Sequence, residues 1–438
     1  MSEQVTTSSV ASEASGGTRT KTKLTRAQLI GFLAGWVGWI LDGMDSFIYA
    51  LVLLPALKEL LPLSGYAATP ETLGFAGSVL FALFLVGWGC AFIWGPIADR
   101  FGRKRTLAAT IIFYSVFTGL TAISDNVWQV GVYRFLAGVG IGGEWAIAGT
   151  YIAEKLPEDR REFAGGLLNA GYFMGFFLAS ALNYTVGATY GWRAMFLCGL
   201  APVVVGLLTL AMVEETDRWD RVTNKVRNPL SAIFHAPYLK RTVVMTSLLA
   251  CSIVGMWGAS IYTPTAIRIL GGKEGMSATE VTQVASFAAA LISLAGIVGN
   301  LMLPFFATRI GRRKTLALYY TGTLTCIVLA FGWAFYLPHG LTPFVIIACT
   351  LMCFAGGQFA IYNIWIPELF ETRVRATAFS FAISIGRFLA AAVNFLLAAM
   401  IRDMGTLGIP IALTAIAFAI GLLILPFSTE TKGRRLPE

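Results

Sequence analysis

Asp42 and Asp45 stand three residues apart in the run Trp39-Ile40-Leu41-Asp42-Gly43-Met44-Asp45, and apolar sequence continues on both sides from about Leu29 to Leu54. A stretch of that length spans a bilayer and puts both carboxyls near its midplane. A carboxylate there costs about 2.5–3.5 kcal/mol on insertion scales, so such groups usually face a polar chamber and carry protons or ions. At this spacing the two share one helix face. Two neighbouring carboxyls in low dielectric do not both ionise cheaply, which suits a group that must take up and release a proton. The spacing does not say which of the two would titrate.

Other charged residues inside apolar runs extend the set. Glu144, in Gly142-Gly143-Glu144-Trp145, is a second candidate proton carrier. Arg134 and Arg387 are the two cations within such runs. A guanidinium stays charged and grips a carboxylate through two parallel hydrogen bonds. Arg387, near the middle of its run, is therefore the expected seat of a substrate carboxylate. Asn394 lies two turns further on the same face. Tyr49 and Gln358, with Tyr172 and Trp257, are further candidates for the lining. Arg134 either takes part in proton coupling or pairs with Asp42 or Asp45. Three buried acids against two buried bases leave a balance that one proton or one anion alters. The six cysteines fall inside apolar runs, and His235 and His339 fall in loops without metal-ligand spacing. The expectation is no metal, no cofactor and no enzymatic activity.

These residues need helices that cross a membrane. The chain is 56% hydrophobic and only 13% charged, where a soluble domain is nearer a quarter charged. Apolar runs near 28–54, 75–97, 105–123, 127–152, 163–187, 193–213, 241–270, 280–307, 315–337, 341–366, 376–401 and 404–427 predict an all-α integral membrane protein of twelve transmembrane helices. The expected organisation is a disordered tail over 1–27, a six-helix bundle over 28–213, a charged linker over 214–240, a second six-helix bundle over 241–427 and a short tail over 428–438. No signal peptide is expected, because the first apolar run is too long and has no small-residue cleavage site. If both ends lie inside, 26 of the 33 Lys and Arg residues are cytoplasmic. That excess fixes the orientation, and it explains the net charge of +9 without nucleic-acid binding.

The halves repeat. Asp99-Arg100-Phe101-Gly102-Arg103-Lys104 after the second run returns as Thr308-Arg309-Ile310-Gly311-Arg312-Arg313 after the eighth. Pro157-Glu158-Asp159-Arg160-Arg161 is matched with Pro367-Glu368 and then Arg373 and Arg375. Two motifs returning at nearly one offset imply two pseudo-symmetric bundles around a central cavity.

Gly95-Pro96-Ile97-Ala98-Asp99-Arg100-Phe101-Gly102-Arg103-Lys104 resembles the loop 2–3 motif of the major facilitator superfamily. Arg134-Phe135-Leu136-Ala137-Gly138 through Gly142 resembles its fourth-helix pattern, and Gly191-Trp192-Arg193 another of its elements. Asp42-Gly43-Met44-Asp45 is similar to the D-G-x-D motif of organic-acid:proton symporters, and Gly142-Gly143-Glu144-Trp145 to a segment of the sialate:proton group, close to the aromatic-acid symporters. The chain lacks the two extra central spans of bacterial sialate carriers, which points to a smaller monocarboxylate or an aromatic acid. The resemblance implies a monomeric, multi-pass carrier of the bacterial inner membrane. It would take up a small organic anion with protons by alternating access. Gly95, Asp99, Arg100, Gly102, Arg103 and Lys104 would hold the cytoplasmic mouth shut by charge pairing across the halves. Two rivals stay open: a proton-coupled antiporter exporting a drug or metabolite, and a non-transporting sensor on the same fold. The missing proline in the fifth span counts against the antiporter, and the missing soluble appendage against the sensor.

Overall fold

The computed structural model describes residues 22–222 and 226–437, so most of the expected tail over 1–27 lies outside the described residues. Among the described residues every regular element is helical. Among these residues nine stretches are long and apolar enough to cross a membrane, judged by length and composition. One of them, Glu158–Met212, is two helices joined at Gly191, whose φ of +78° suits glycine and breaks the spiral. Two more polar helices, Arg103–Thr121 and Val127–Lys155, bring the set to twelve. In chain order these are α1 (Arg26–Leu63), α2 (Thr72–Phe101), α3 (Arg103–Thr121), α4 (Val127–Lys155), α5 (158–190), α6 (191–212), α7 (Leu239–Lys273), α8 (Ala278–Ile310), α9 (Arg312–Tyr336), α10 (Leu341–Leu369), α11 (Arg375–Met404) and α12 (Gly408–Phe427). Short helices Asp217–Asp220 and Pro229–Ala232 lie between α6 and α7.

Local signals set several ends. Thr25 and Gln28 form a capping box that starts α1. The apolar count ends near Leu54, yet α1 runs through Pro55 to Leu63. Its outer turns are anchored at Glu59, which accepts from Trp192 Nε1 at 2.7 Å and pairs with Arg193. The tenth span runs as one stretch over Leu341–Leu369, and its hydrogen-bond ladder breaks at Gln358, after Gly356 and Gly357, where the backbone stays helical at φ −55° and ψ −26°.

Within the first half α1 packs on α5 and α4, α2 on α4, and α3 on α4 and α6. In the second, α7 packs on α11 and α12, α8 on α10, and α9 on α10 and α12. The halves meet along α5–α8 and α2–α11. Backbone contact sets the α2–α4 seam. A Cβ on Gly87, Gly138 or Gly142 would collide with the carbonyl oxygen of Phe135, Phe84 or Trp88 respectively. Small residues allow such approach where lipid supplies no hydrophobic drive between helices.

Candidate functional site

The fourth-helix arginine is fixed from several sides. Arg134 of α4 forms a two-pronged pair with Asp45 of α1, Nη1 to Oδ1 and Nη2 to Oδ2, each at 3.2 Å. Thr118 Oγ1 of α3 accepts from Nη1 at 3.3 Å. The rings of Tyr49 and Phe84 lie 4.8 Å from the guanidinium carbon and that of Phe196 5.8 Å. Tyr49, expected in a substrate lining, is thus part of the cage around Arg134. Both members of the pair are fully buried.

Asp42, one turn away, has different surroundings. It is fully buried, and neither carboxylate oxygen has a hydrogen-bond partner. The same holds for Glu144 of α4. Gly38 of α1 makes room for Glu144, because a Cβ there would strike Glu144 Oε1 and approach Ile111 of α3. Glu144 therefore sits among α1, α3 and α4, inside the first half. The buried hydroxyl of Tyr114 on α3 is also unpartnered. Leaving a buried carboxylate without donor or cation is costly, and a proton is the partner that removes the charge. The two aspartates that sequence spacing could not separate differ in their bonding: Asp45 is ion-paired with Arg134, and Asp42 makes neither a hydrogen bond nor an ion pair.

Arg387 of α11 lies across the seam from these acids. Its guanidinium carbon is 3.5 Å from the ring centre of Trp88 on α2 and 4.9 Å from that of Trp257 on α7. The two indoles meet edge to face at 5.8 Å. Arg387 is buried, and its Nε and Nη1 have no acceptor. Held against the rings, the guanidinium keeps these donors free, and a planar carboxylate can take them. The side-chain amide of Asn394 is unpartnered at both atoms and half-buried. Gln358, at the α10 break, donates to Ala355 O at 3.0 Å and leaves its Oε1 unpartnered. Toward the basic end, Trp145 stacks on Trp39 at 6.1 Å and meets Phe359 and Phe379 of the other half at 5.7 and 5.3 Å.

Beyond these rings the basic end of the molecule is bolted shut. Asp99 accepts from Ala376 N at 3.3 Å, Thr377 N at 2.9 Å and Thr377 Oγ1 at 2.6 Å. A carboxylate from the first half thus caps the N-terminus of α11 in the second. A Cβ on Gly95 would strike Thr377 Cα, so its absence permits the approach. Arg103 pairs with Asp99 at 3.0 Å within its own half and reaches Thr372 O across the seam at 2.5 Å. Two charge pairs cross, and sequence reasoning missed both: Glu154 of α4 with Arg375 of α11 at 2.7 Å, and Glu162 of α5 with Arg312 of α9. Glu154 also accepts from Arg103 at 3.1 Å and from Thr216 Oγ1 at 2.7 Å. Gly102 has φ +105°, and the space a Cβ would take is filled by Glu215, which caps α3 through the amides of Arg103 and Lys104.

The second half repeats this bracket and corrects the register of the second motif. Arg312 binds Glu368 at 2.7 and 3.0 Å, Thr431 Oγ1 donates to Glu368, and Glu430 caps α9 through the amides of Arg312 and Arg313 at 3.0 Å. Glu154 therefore matches Glu368, and Arg161 matches Arg375. The repeat is a Glu followed seven residues later by an Arg, and the Pro-Glu match of 157–158 with 367–368 misaligns it by one helical turn. A Glu-Thr pair after each half, Glu215-Thr216 and Glu430-Thr431, was the other available signal. Thr308, where the first copy has Asp99, bonds back to Pro304 O of its own helix at 2.8 Å.

Twelve helices in two like halves, with unpartnered ionisable groups on both sides of the seam and one end bolted, define a membrane carrier and not an enzyme. The chain belongs to the Major Facilitator Superfamily, whose model matches residues 35–393. It is 28% identical over 417 residues to the "Probable 4-methylmuconolactone transporter" of Cupriavidus pinatubonensis, covering 92% of this chain and 90% of that one. It is 26% identical over 403 residues to the "Sialic acid transporter NanX" of Escherichia coli, covering 92% and 94%. The proton:xylose symporter XylE shares the fold with a TM-score of 0.77 at 16% identity, over 94% of this chain and 98% of that one.

Proposed function

We propose that this carrier takes up a small organic monocarboxylate together with protons by alternating access. One observation carries the reading: a buried arginine with open hydrogen-bond donors lies on one side of the seam, and the half on the other side holds two buried carboxyls that have no hydrogen-bond partner. The anion fills Arg387, and Asn394 and Gln358 are the further polar candidates for the lining. Protons fill Asp42 and Glu144, while Asp45 and Arg134 hold each other. The two indoles beside Arg387 favour flat acids, and several relatives are named for acids, among them cis,cis-muconate and gentisate.

The halves 28–213 and 241–427, joined by the 214–240 linker, rock against each other around the central site. The bolted end carries most of the Lys and Arg residues and is assigned to the cytoplasm, with the host membrane a bacterial inner membrane. Asp99 with Gly95, Arg100, Gly102, Arg103 and Lys104 then belongs to the gate that must open to release cargo. The site lies within one chain, so a monomer suffices.

Proteoliposomes test this. Arg387→Gln should weaken binding of a transported acid by at least about 30-fold, or about 2 kcal/mol. Asp42→Asn should abolish accumulation driven by a pH gradient while sparing exchange of labelled for unlabelled acid. Accumulation by both variants at the wild-type level would refute the assignment.

A further inference from the structure

On the outside of the second half, at its basic end, the start of α9 and the end of α12 enclose a groove of about 620 Å³. Its floor is apolar: Ile310, Ala317, Leu422 and Leu425. Its rim is basic: Arg313, Lys314 and Lys432. Neighbouring Leu318, Leu423 and Phe427 are exposed, which places the groove at the edge of the apolar belt. The one acid in the lining, Glu430, is engaged. It accepts from the amides of Arg312, Arg313, Thr431 and Lys432 at 2.9–3.0 Å. Arg313 donates one bond to Pro426 O at 3.1 Å, and Lys432 one to Arg309 O at 2.8 Å, leaving each with further donors. Lys314 is exposed.

The first half supplies an internal control. At the matching place the short helix Asp217–Asp220 sets Trp219 against Gly102, and its Nε1 donates to Asp99 O at 3.0 Å. Indole fills the space there. After Glu430 and Thr431 the chain instead turns at Gly433, with φ +75°; the exposed Arg434 stands where the first half has Trp219, and Lys432 is the following side chain that lines the groove. The repeat has lost its plug in the second half, and the groove stays open beside three cations.

We propose that this groove binds one anionic phospholipid of the cytoplasmic leaflet, its phosphate on Arg313, Lys314 and Lys432 and its acyl chain along Leu422 and Leu425. Basic pockets between helices on the cytoplasmic side suit anionic headgroups. An apolar floor open to the lipid-facing residues suits a tailed ligand better than a free phosphate. Bound there, the lipid ties the start of α9 to the end of α12.

The test compares melting of the full chain in nanodiscs of phosphatidylcholine alone and with phosphatidylglycerol. A ligand that prefers the folded state raises the melting temperature. The expected result is a rise with phosphatidylglycerol that is lost in Lys314→Ala/Lys432→Ala. Ala317→Phe, which fills the floor and keeps every charge, should lose it too. Arg105→Ala, the match of Lys314 in the first copy, should keep it. The proposal is overturned if phosphatidylglycerol gives no rise, if the rise survives both groove variants, or if millimolar glycerol phosphate in neutral discs reproduces it.

Discussion

Asp42 and Asp45 show how far a single turn of helix can separate two chemistries. Asp45→Asn strands Arg134 in a buried cage, and breaking a buried pair costs about 3–5 kcal/mol. It should lower the melting temperature of the purified protein sharply. Asp42→Asn breaks no bond and should leave that temperature nearly unchanged, although it removes coupling. Equal melting of the two variants would mean that the pair is not what holds Arg134. Glu430 gives a pH prediction. Burial pushes its carboxyl up, but the amides of Arg313, Arg312, Lys432 and Thr431 outweigh this and hold it below the usual carboxylate range. A lowered folded value stabilises above the unfolded value of about 4.3 and is lost as pH falls through the folded one. Melts between pH 7 and pH 3 should show wild type losing stability at the acid end relative to Glu430→Gln. The presence of three acids and two arginines in the membrane was legible from sequence. Their partners were not, because the Asp45–Arg134 contact depends on how α1 and α4 are rotated against each other across 89 residues of chain.

Helix seams set by backbone contact allow a sharper contrast than composition does. Gly142→Ala puts a methyl against the Trp88 carbonyl oxygen, so α2 and α4 must part. Overpacking of this kind costs about 1–3 kcal/mol. It also moves Trp88, so affinity for the transported acid should fall along with thermal stability. Gly74→Ala, where nothing lies within 4 Å, should change neither. Affinity unchanged in Gly142→Ala would detach Trp88 from the site. Span positions were readable because length and hydropathy suffice for them. The break at Gln358 and the extension of α1 past Pro55 were not, since both depend on neighbouring helices. The twin Glu and Arg brackets were half-read. Two Pro-Glu dipeptides drew the alignment, whereas the paired carboxylates sit at different distances from each proline.

At the scale of the whole molecule, the basic end is held by bonds that must break together. Asp99 on the amides of α11, Glu154 on Arg375 and Arg103 on Thr372 all cross the seam. The end of the chain joins them. Leu436 is buried, Pro437 O accepts from Arg375 at 2.7 Å, and Leu436 O accepts from Arg218 at 3.4 Å. Glu154→Gln, or removal of residues 434–438, should speed hydrogen exchange at the first amides of α11 without unfolding the bundles. Unchanged exchange in both would show that the seam is held elsewhere. The placement of the charges has one more consequence. Asp42, Glu144 and the Asp45–Arg134 pair ride on the first half, and Arg387 on the second. If one carboxyl fills per anion, the cycle moves no net charge. If both fill, each turn carries one positive charge inward, and a membrane voltage adds about 2.3 kcal/mol per 100 mV to the gradient that can be built. An electrical current from loaded liposomes, or its absence, therefore counts the occupied seats.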